Sequence, residues 1–426
     1  NRNDTVVRPL LHPPDSPCLP PDRNVMFSFL VASLLAAFIP SCLCVPLIRA
    51  LAPKLGLIDE PGHRKVHHTP TPMGGGIAVA IGITLPLGLL LLFPESMARI
   101  SIGFEILLAT LLLDEFQLQQ MAAIITGGAA LFLVGLADDR WDLPWKIRLF
   151  AQLGVAVGVT AMGVRATVFV AQPWIGFVIT VLWIVVLTNA MNFLDNMDAL
   201  TAGISMIASL LFAGILLALV PVPHWVVAFG LLITAGSLGG FLVWNRPPAS
   251  IFMGDCGSNL AGFLLATLTV SGTFYQNSGS RHVILAPLCV LAIPLYDFCT
   301  VILIRLSHGR SPFHGDKSHF SHRLVEIGLK PAHAVLTIHL TTLMTGLGGL
   351  LLYKVPDWAG AWLVIALVSC VLSVVAILET VGRRSNRRKQ RALATHIAAG
   401  PRQSDENSAD ETKSPQLQSH DNSPLN

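Results

Sequence analysis

Apolar residues run through this chain in blocks of about twenty, broken by short polar loops. Blocks of that length match the hydrocarbon thickness of a bilayer when wound as helices. They fall near 25–48, 74–93, 121–137, 149–164, 174–190, 203–220, 224–244, 259–275, 283–304, 333–353 and 359–380, which predicts eleven membrane helices. The Gly- and Ala-rich block at 149–164 is the least marked. The stretch SIGFEILLATLLLDEFQLQQ, 101–120, is apolar for part of its length and carries Glu105, Asp114 and Glu115, so it reads as an extracytoplasmic loop or an interfacial helix.

Composition agrees with that pattern. Of 426 residues 53% are hydrophobic and only 12% charged, well beyond what a soluble protein of this size carries. The expected fold is all-α, a polytopic bundle spanning 25–380. It is flanked by a Pro-rich polar leader, 1–24, and a basic then polar tail, 381–426, both expected to lack fixed structure. The leader begins without methionine, so Met26 is a plausible start, and 25–48 reads as a retained first span. The seven cysteines show no paired spacing for a metal or a disulfide framework.

Eleven spans put the termini on opposite sides. With the tail in the cytoplasm, that side holds all but seven of the 28 basic residues, the exceptions being Arg2, Arg8, Arg23, Arg99, Arg165, Arg281 and Lys354. The N-terminus is then outside. Five cytoplasmic loops carry nearly all the remaining chemistry: 56–76, 137–146, 189–199, 245–259 and 307–324. A coupled transporter would more often place ionisable groups near the midplane on paired repeats, and no repeat is visible.

In those loops Asp138, Asp139, Asp195, Asp198 and Asp255 offer the oxygen donors that Mg²⁺ takes while keeping water and substrate phosphates in its shell. Lys65, His67, Arg310, Lys317, His319, His322 and Arg323 suit phosphate oxygens. Gly74–Gly76 and the run from Gly254 to Ser258 add backbone able to approach an anion. Taken singly, the Asp138–Asp139 pair fits a solvated helix end, the glycine run fits helix packing, and the histidines fit a surface loop. The ladder Asn189, Asn192, Asp195 and Asp198, spaced by three at the end of an apolar helix, is costly there unless paired or used.

Together the five loops resemble the polyprenyl-phosphate N-acetylhexosamine-1-phosphate transferases, glycosyltransferase family 4, in family order from Gly56 to Leu329. The matching segments are LIDEPGHRKVH with TPMGG, LVGLADDRWDLP, TNAMNFLDNMDAL, PPASIFMGDCGSN and PLYDFCTVILIRLSHGRSPFHGDKSHFSHRL. Where the family favours glycine this chain has Asn196 and Ala199; Met73 and Asn245–Pro247 also depart from its pattern.

The resemblance implies transfer of N-acetylglucosamine 1-phosphate from UDP-GlcNAc to undecaprenyl phosphate at the face of a bacterial inner membrane. Mg²⁺ is the implied cofactor, with Mn²⁺ as a substitute. The partners are UDP-N-acetylhexosamine, a polyprenyl phosphate and the bilayer, with no nucleic acid; a homodimer is allowed. Asp255 is the leading implied metal ligand, in a loop where no structural partner is expected for it. Asp138 and Asp139 follow as further ligands, or Asp138 as a base. Asn189 and Asn192 would orient and Asp195 and Asp198 bind, while Arg310, Lys317, His319, His322 and Arg323, with Lys65 and His67, would hold the diphosphate. Spaced histidines, rather than three in a row, favour a plain amino sugar over UDP-MurNAc-pentapeptide. That peptide substrate and a lipid-sugar flippase are the alternatives.

Overall fold

The computed structural model describes residues 23–60, 69–166, 172–272, 281–312 and 318–398, with side chains omitted at 113 and 382–398. Lys65, His67 and Lys317 lie outside the described residues.

Long apolar runs become long helices because a segment in hydrocarbon must satisfy every backbone group internally. Fifteen α-helices follow one another among the described residues. The first half holds α1 (Arg23–Leu55), α2 (Gly75–Leu92), α3 (Pro94–Ile100), α4 (Ile102–Leu113), α5 (Glu115–Trp141), α6 (Trp145–Ala161) and α7 (Pro173–Leu194). The second holds α8 (Leu200–Ala218), α9 (Trp225–Asn245), α10 (Gly254–Ser271), α11 (Ala286–Val290), α12 (Ala292–Ser307), α13 (Phe320–Glu326), α14 (Pro331–Leu351) and α15 (Trp358–Ala398). The chain is an all-α polytopic membrane protein.

All eleven expected spans fall on helices, yet their lengths are unequal. Among the described residues eight helices are long and apolar enough to cross a bilayer, or nine when the pair around α11 and α12, bent by 67°, is taken as one span. The other two segments are α6, with 17 residues, and α10, whose first turn is polar. The stretch 101–120 is helical rather than a loop. Ser101 caps α4 by accepting from the Gly103 amide. Asp114 caps α5 by accepting from the Phe116 and Gln117 amides. Phe104 of α4 meets Phe29 of α1 edge-on, ring centroids 5.1 Å apart, so α4 packs onto the end of the bundle.

The element that organises the core is α10, which is buried along almost its whole length and packs against α5, α7 and α2. Its approach to α5 is close enough to exclude a side chain. A Cβ on Gly135 would lie 2.5 Å from Cys256 Cα. That contact places the end of α5, with Asp138 and Asp139, over the first turn of α10, with Asp255.

The first polar loop is stitched to the same place. Its flanks pair as a two-residue antiparallel ribbon, Ile58 opposite Pro72 and Asp59 opposite Thr71. The Gly75 and Gly76 amides donate to the Phe252 and Met253 carbonyls just before α10. Those two amides hold the fold together and are engaged, contrary to the anion-binding reading of the glycine run.

Candidate active site

Four chain segments converge on Asp255. Its Oδ2 accepts from Arg148 Nη1 at 3.0 Å, and its Oδ1 accepts from Asn192 Nδ2 at 2.8 Å. Arg148, in the first turn of α6, also donates from Nη1 to Asp138 Oδ2 at 2.6 Å. One guanidinium thus joins two carboxylates that are 107 and 10 residues away along the chain. Asp138 is 6% exposed, and its Oδ1 accepts from the Leu143 amide at 2.7 Å, which ends α5 and turns the chain toward α6. The expectation that Asp255 has no protein partner is corrected: it lies in the first turn of a helix, held by Arg148 and Asn192.

Asp139 faces the other way. Its Oδ1 accepts from the Asp255 amide at 2.6 Å and its Oδ2 from the Cys256 amide at 3.1 Å. It caps the N-terminus of α10 from another helix, satisfying amides that have no partner within α10. Gly254 makes room for this, with φ of 76° and a Cβ position only 2.6 Å from Asp139 Oδ2. The Asp255 and Cys256 amides are therefore engaged by Asp139, and Asp139 fixes the carboxylate beside it.

The ladder divides its roles along α7. Asn189 Nδ2 donates to Gln152 Oε1 at 2.6 Å, and Gln152 Nε2 reaches Asn259 Oδ1 at 3.4 Å. With Arg148, Asn192 and Trp145 these amides line a polar recess of about 40 Å³ next to Asp255. Asp195 terminates α7 and is half-buried. Desolvation, with the charges of Asp255, Asp139 and Asp198 adding to it, holds its carboxyl well above the ordinary range, while a Thr201 hydroxyl works in the opposite sense. Asp198 Oδ2 accepts from the Ala249 amide at 2.9 Å, tying the ladder to the segment before α10.

His319 forms a second centre beside the first. Its Nδ1 lies 2.9 Å from Asp297 Oδ2, and Asp297, fully buried, also accepts from the Phe320 amide. Arg305 Nη2 sits 3.4 Å from His319 Nε2. A guanidinium can only donate, so the pattern assigns the ring proton to Nδ1. Phe193 links the centres: it follows Asn192 on α7, meets the His319 ring edge-on at 5.9 Å and lies under Arg305 at 5.1 Å. Ser321 Oγ also donates to Asn196 Oδ1 at 2.6 Å.

The remaining expected residues are placed unevenly. His322 is half-buried, its ring 6.4 Å from that of His319. Arg310 is exposed beyond the end of α12. Arg323 is 2% exposed and lies against Glu379, Thr300 and Asp297, which makes it an internal tie where a diphosphate-binding cation was expected. Sequence reasoning did not single out Arg148, Asp297 or Arg305. Asp297 and Arg305 carried a usable signal, charge within an otherwise apolar run.

Among the described residues no three His, Cys, Asp or Glu side chains form a ready-made metal cage. The donor set nevertheless suits a hard cation. Asp195 lies within reach of the Asp255 charge, Arg148 is the cation bonded to Asp255, and both carboxylates offer oxygen donors. Mg²⁺ typically uses one or two carboxylates and completes its shell with water and phosphate.

A bundle that gathers carboxylates, amides, a guanidinium and a buried histidine at the end of its membrane helices is built to act on anionic substrates at a membrane face. Its sequence relatives point to the same class. Residues 121–273 match the family model described as glycosyl transferase family 4. The probable undecaprenyl-phosphate N-acetylglucosaminyl 1-phosphate transferase of Bacillus subtilis (strain 168) is 30% identical over 363 residues, covering 82% of this chain and 94% of that protein. The decaprenyl-phosphate N-acetylglucosaminephosphotransferase of Mycobacterium tuberculosis (strain ATCC 25618 / H37Rv) is 32% identical over 358 residues, covering 78% and 85%. The undecaprenyl-phosphate alpha-N-acetylglucosaminyl 1-phosphate transferase of Yersinia pestis is 29% identical over 333 residues, covering 73% and 81%. The chain belongs to glycosyl transferase family 4.

Proposed function

We propose that this protein transfers N-acetylglucosamine 1-phosphate from UDP-GlcNAc to undecaprenyl phosphate, releasing UMP and forming the lipid diphosphate sugar. The observation that carries the reading is the joining of Asp138, Arg148, Asp255 and Asn192 in one hydrogen-bonded cluster beside His319. The names of the three relatives support N-acetylglucosaminyl phosphate as the group transferred and a polyprenyl phosphate as acceptor, undecaprenyl in two and decaprenyl in the third.

In this reaction an oxygen of the lipid phosphate attacks the β-phosphorus of the donor, and the bond to the α-phosphate oxygen breaks. Both reactants are anions, so the barrier is largely electrostatic and positional. Asp255 and Asp195 would hold Mg²⁺, whose role when bound is to neutralise phosphate charge. Arg148 keeps Asp255 and Asp138 in register. Asn192 fixes the other Asp255 oxygen, and Asn189 fixes Gln152 in the wall of the recess. His319, oriented by Asp297, and His322 beside it would face the diphosphate, with the buried Arg305 packed behind His319 and Phe193. Lys65, His67, Arg310 and Lys317 would supply further cations from the flanking loops.

The site end of the bundle would face the cytoplasm of a bacterium, where nucleotide sugars are available, with the N-terminus outside and the C-terminus inside. The loops at that end and the tail after residue 380 together hold 21 of the 28 basic residues. UMP release by purified protein, measured across UDP-GlcNAc, UDP-GalNAc and UDP-MurNAc-pentapeptide with undecaprenyl phosphate, tests the choice of sugar. Turnover is expected with UDP-GlcNAc or its close relative. Efficient use of the pentapeptide would instead make this a peptidoglycan-precursor transferase.

A further inference from the structure

The last long helix reaches His319 through a buried chain of charges. Glu379 of α15 is 4% exposed, and its Oε2 lies 3.2 Å from Arg323 Nη1 and accepts from the Tyr296 hydroxyl at 3.2 Å. Arg323 Nη2 donates to Thr300 Oγ1 at 3.0 Å and stands 3.7 Å from Asp297 Oδ1. Asp297 in turn holds His319 Nδ1. Four ionisable groups on α15, α13 and α12, and at the start of α13, are thus in series.

Such a chain is an expensive way to hold helices together. Each buried charge loses its hydration, and apolar residues of similar size would pack as well or better. Buried ionisable groups in membrane helices more often serve a site. The distances show how this one is balanced: Arg323 is closer to Glu379 than to Asp297. Asp297 therefore has charge left for the His319 ring.

We propose that Glu379 is a positioning residue for His319, acting by holding Arg323 off Asp297. Without the Glu379 charge, the guanidinium turns onto Asp297 and competes with His319 Nδ1 for the carboxylate. The imidazole then loses the partner that fixes its tautomer and the direction of Nε2. Partners behind a functional histidine commonly change affinity or rate by about 10- to 100-fold when removed. This inference rests on the reading that His319 meets the donor diphosphate.

The test is a set of variants in full-length protein, assayed for KM and kcat with UDP-GlcNAc and undecaprenyl phosphate. Glu379→Gln keeps the side-chain shape and removes the charge. It is expected to raise the donor KM about tenfold with the acceptor KM unchanged. Removing both charges, in Arg323→Met with Glu379→Gln, leaves no competing cation and is expected to restore the donor KM to within about threefold of wild type. Replacing a buried pair in this way is usually tolerated by the fold. Adding Glu379→Gln to His319→Ala should cost nothing beyond His319→Ala alone, because groups acting through one another are not additive.

A wild-type donor KM in Glu379→Gln, an unrestored double variant, or additive losses with an impaired His319→Ala would each overturn the positioning role alone. Wild-type kinetics in His319→Ala itself would instead remove His319 from the site, and this inference with it. A purely structural Glu379 would lower thermal stability and active fraction in every variant without the rescue.

Discussion

Arg148 is the residue on which the candidate site turns, because one guanidinium nitrogen serves both Asp138 and Asp255. A lysine Nζ could also donate to two acceptors, but its rotatable ammonium on a flexible stem lacks the rigid plane that sets both donor directions. Arg148→Lys is therefore expected to lose about tenfold in kcat, and Arg148→Ala about 100-fold or more, with steady-state UMP release as the measure. Near-normal turnover in Arg148→Ala would take Arg148 out of the mechanism.

Asp255→Asn should be more damaging still, by about 10²- to 10⁴-fold, since several kcal/mol of charge stabilisation go with one carboxylate at a metal site. A variant keeping more than about a tenth of wild-type turnover would displace Asp255 from that role.

Ala199 makes a different kind of prediction. It sits at φ of 64°, a left-handed conformation that a side chain resists, at a position where the resembling family favours glycine. The strain is contained by Asn245, whose Oδ1 accepts from the Ala199 amide at 2.8 Å and whose Nδ2 donates to Ile251 O at 2.9 Å. Two of the chain's departures from the family pattern thus belong together. Ala199→Gly should stabilise the protein by about 1 kcal/mol, and Asn245→Ala should destabilise it by about 1–3 kcal/mol. Thermal unfolding midpoints would show both; a lower midpoint for Ala199→Gly contradicts the strain.

At the scale of elements, the site exists because α5 and α10 touch backbone to backbone. Gly135 permits that approach, and a methyl group there must push the helices apart or distort them. Gly135→Ala is expected to cost about 1–3 kcal/mol and to lower turnover as well, since Asp138 and Asp255 ride on the two helices. Loss of stability with unchanged specific activity would mean that the cluster tolerates a shifted helix.

The same scale explains what could be read from the sequence. The ladder, the Asp138–Asp139 pair, Asp255 and His319 announce themselves as polar residues at the ends of apolar runs, and the structure gathers all of them. The segment 101–120 left loop and interfacial helix both open, because its charges lie near the caps of α4 and α5 while its middle is apolar. Arg148 was legible only as one cation among several beside the least marked span. What it bridges depends on α6 packing beside α5 and on α10 crossing α5, and no local pattern encodes those contacts. Asp297 and Glu379 could have been flagged as charges inside spans. Arg323 was misread because its motif sits in a polar loop, whereas α13 turns its side chain inward toward α12 and α15.

For the whole molecule, the arrangement requires the polar ends of α5 and α7 to lie on one side of the membrane and the start of α5 on the other. Single cysteines at positions 142 and 196, on a cysteine-free background, should label from the cytoplasmic side, and one at 115 from outside. Labelling of 142 and 196 from opposite faces would break the shared site, whatever the number of spans. The proposed orientation is the one that the basic residues near the helix ends favour, so moving lysines to the opposite loops is expected to weaken insertion.

The most direct measurement follows the phosphorus atom itself. UDP-GlcNAc labelled with ³²P at the β-phosphate is incubated with the purified protein, Mg²⁺ and undecaprenyl phosphate, and the organic and aqueous phases are separated. Label is expected to move into an organic-soluble lipid diphosphate sugar in one-to-one ratio with unlabelled UMP, and Asp255→Asn to abolish the transfer. Label that stays in the aqueous phase, or lipid product formed without UMP, would contradict it.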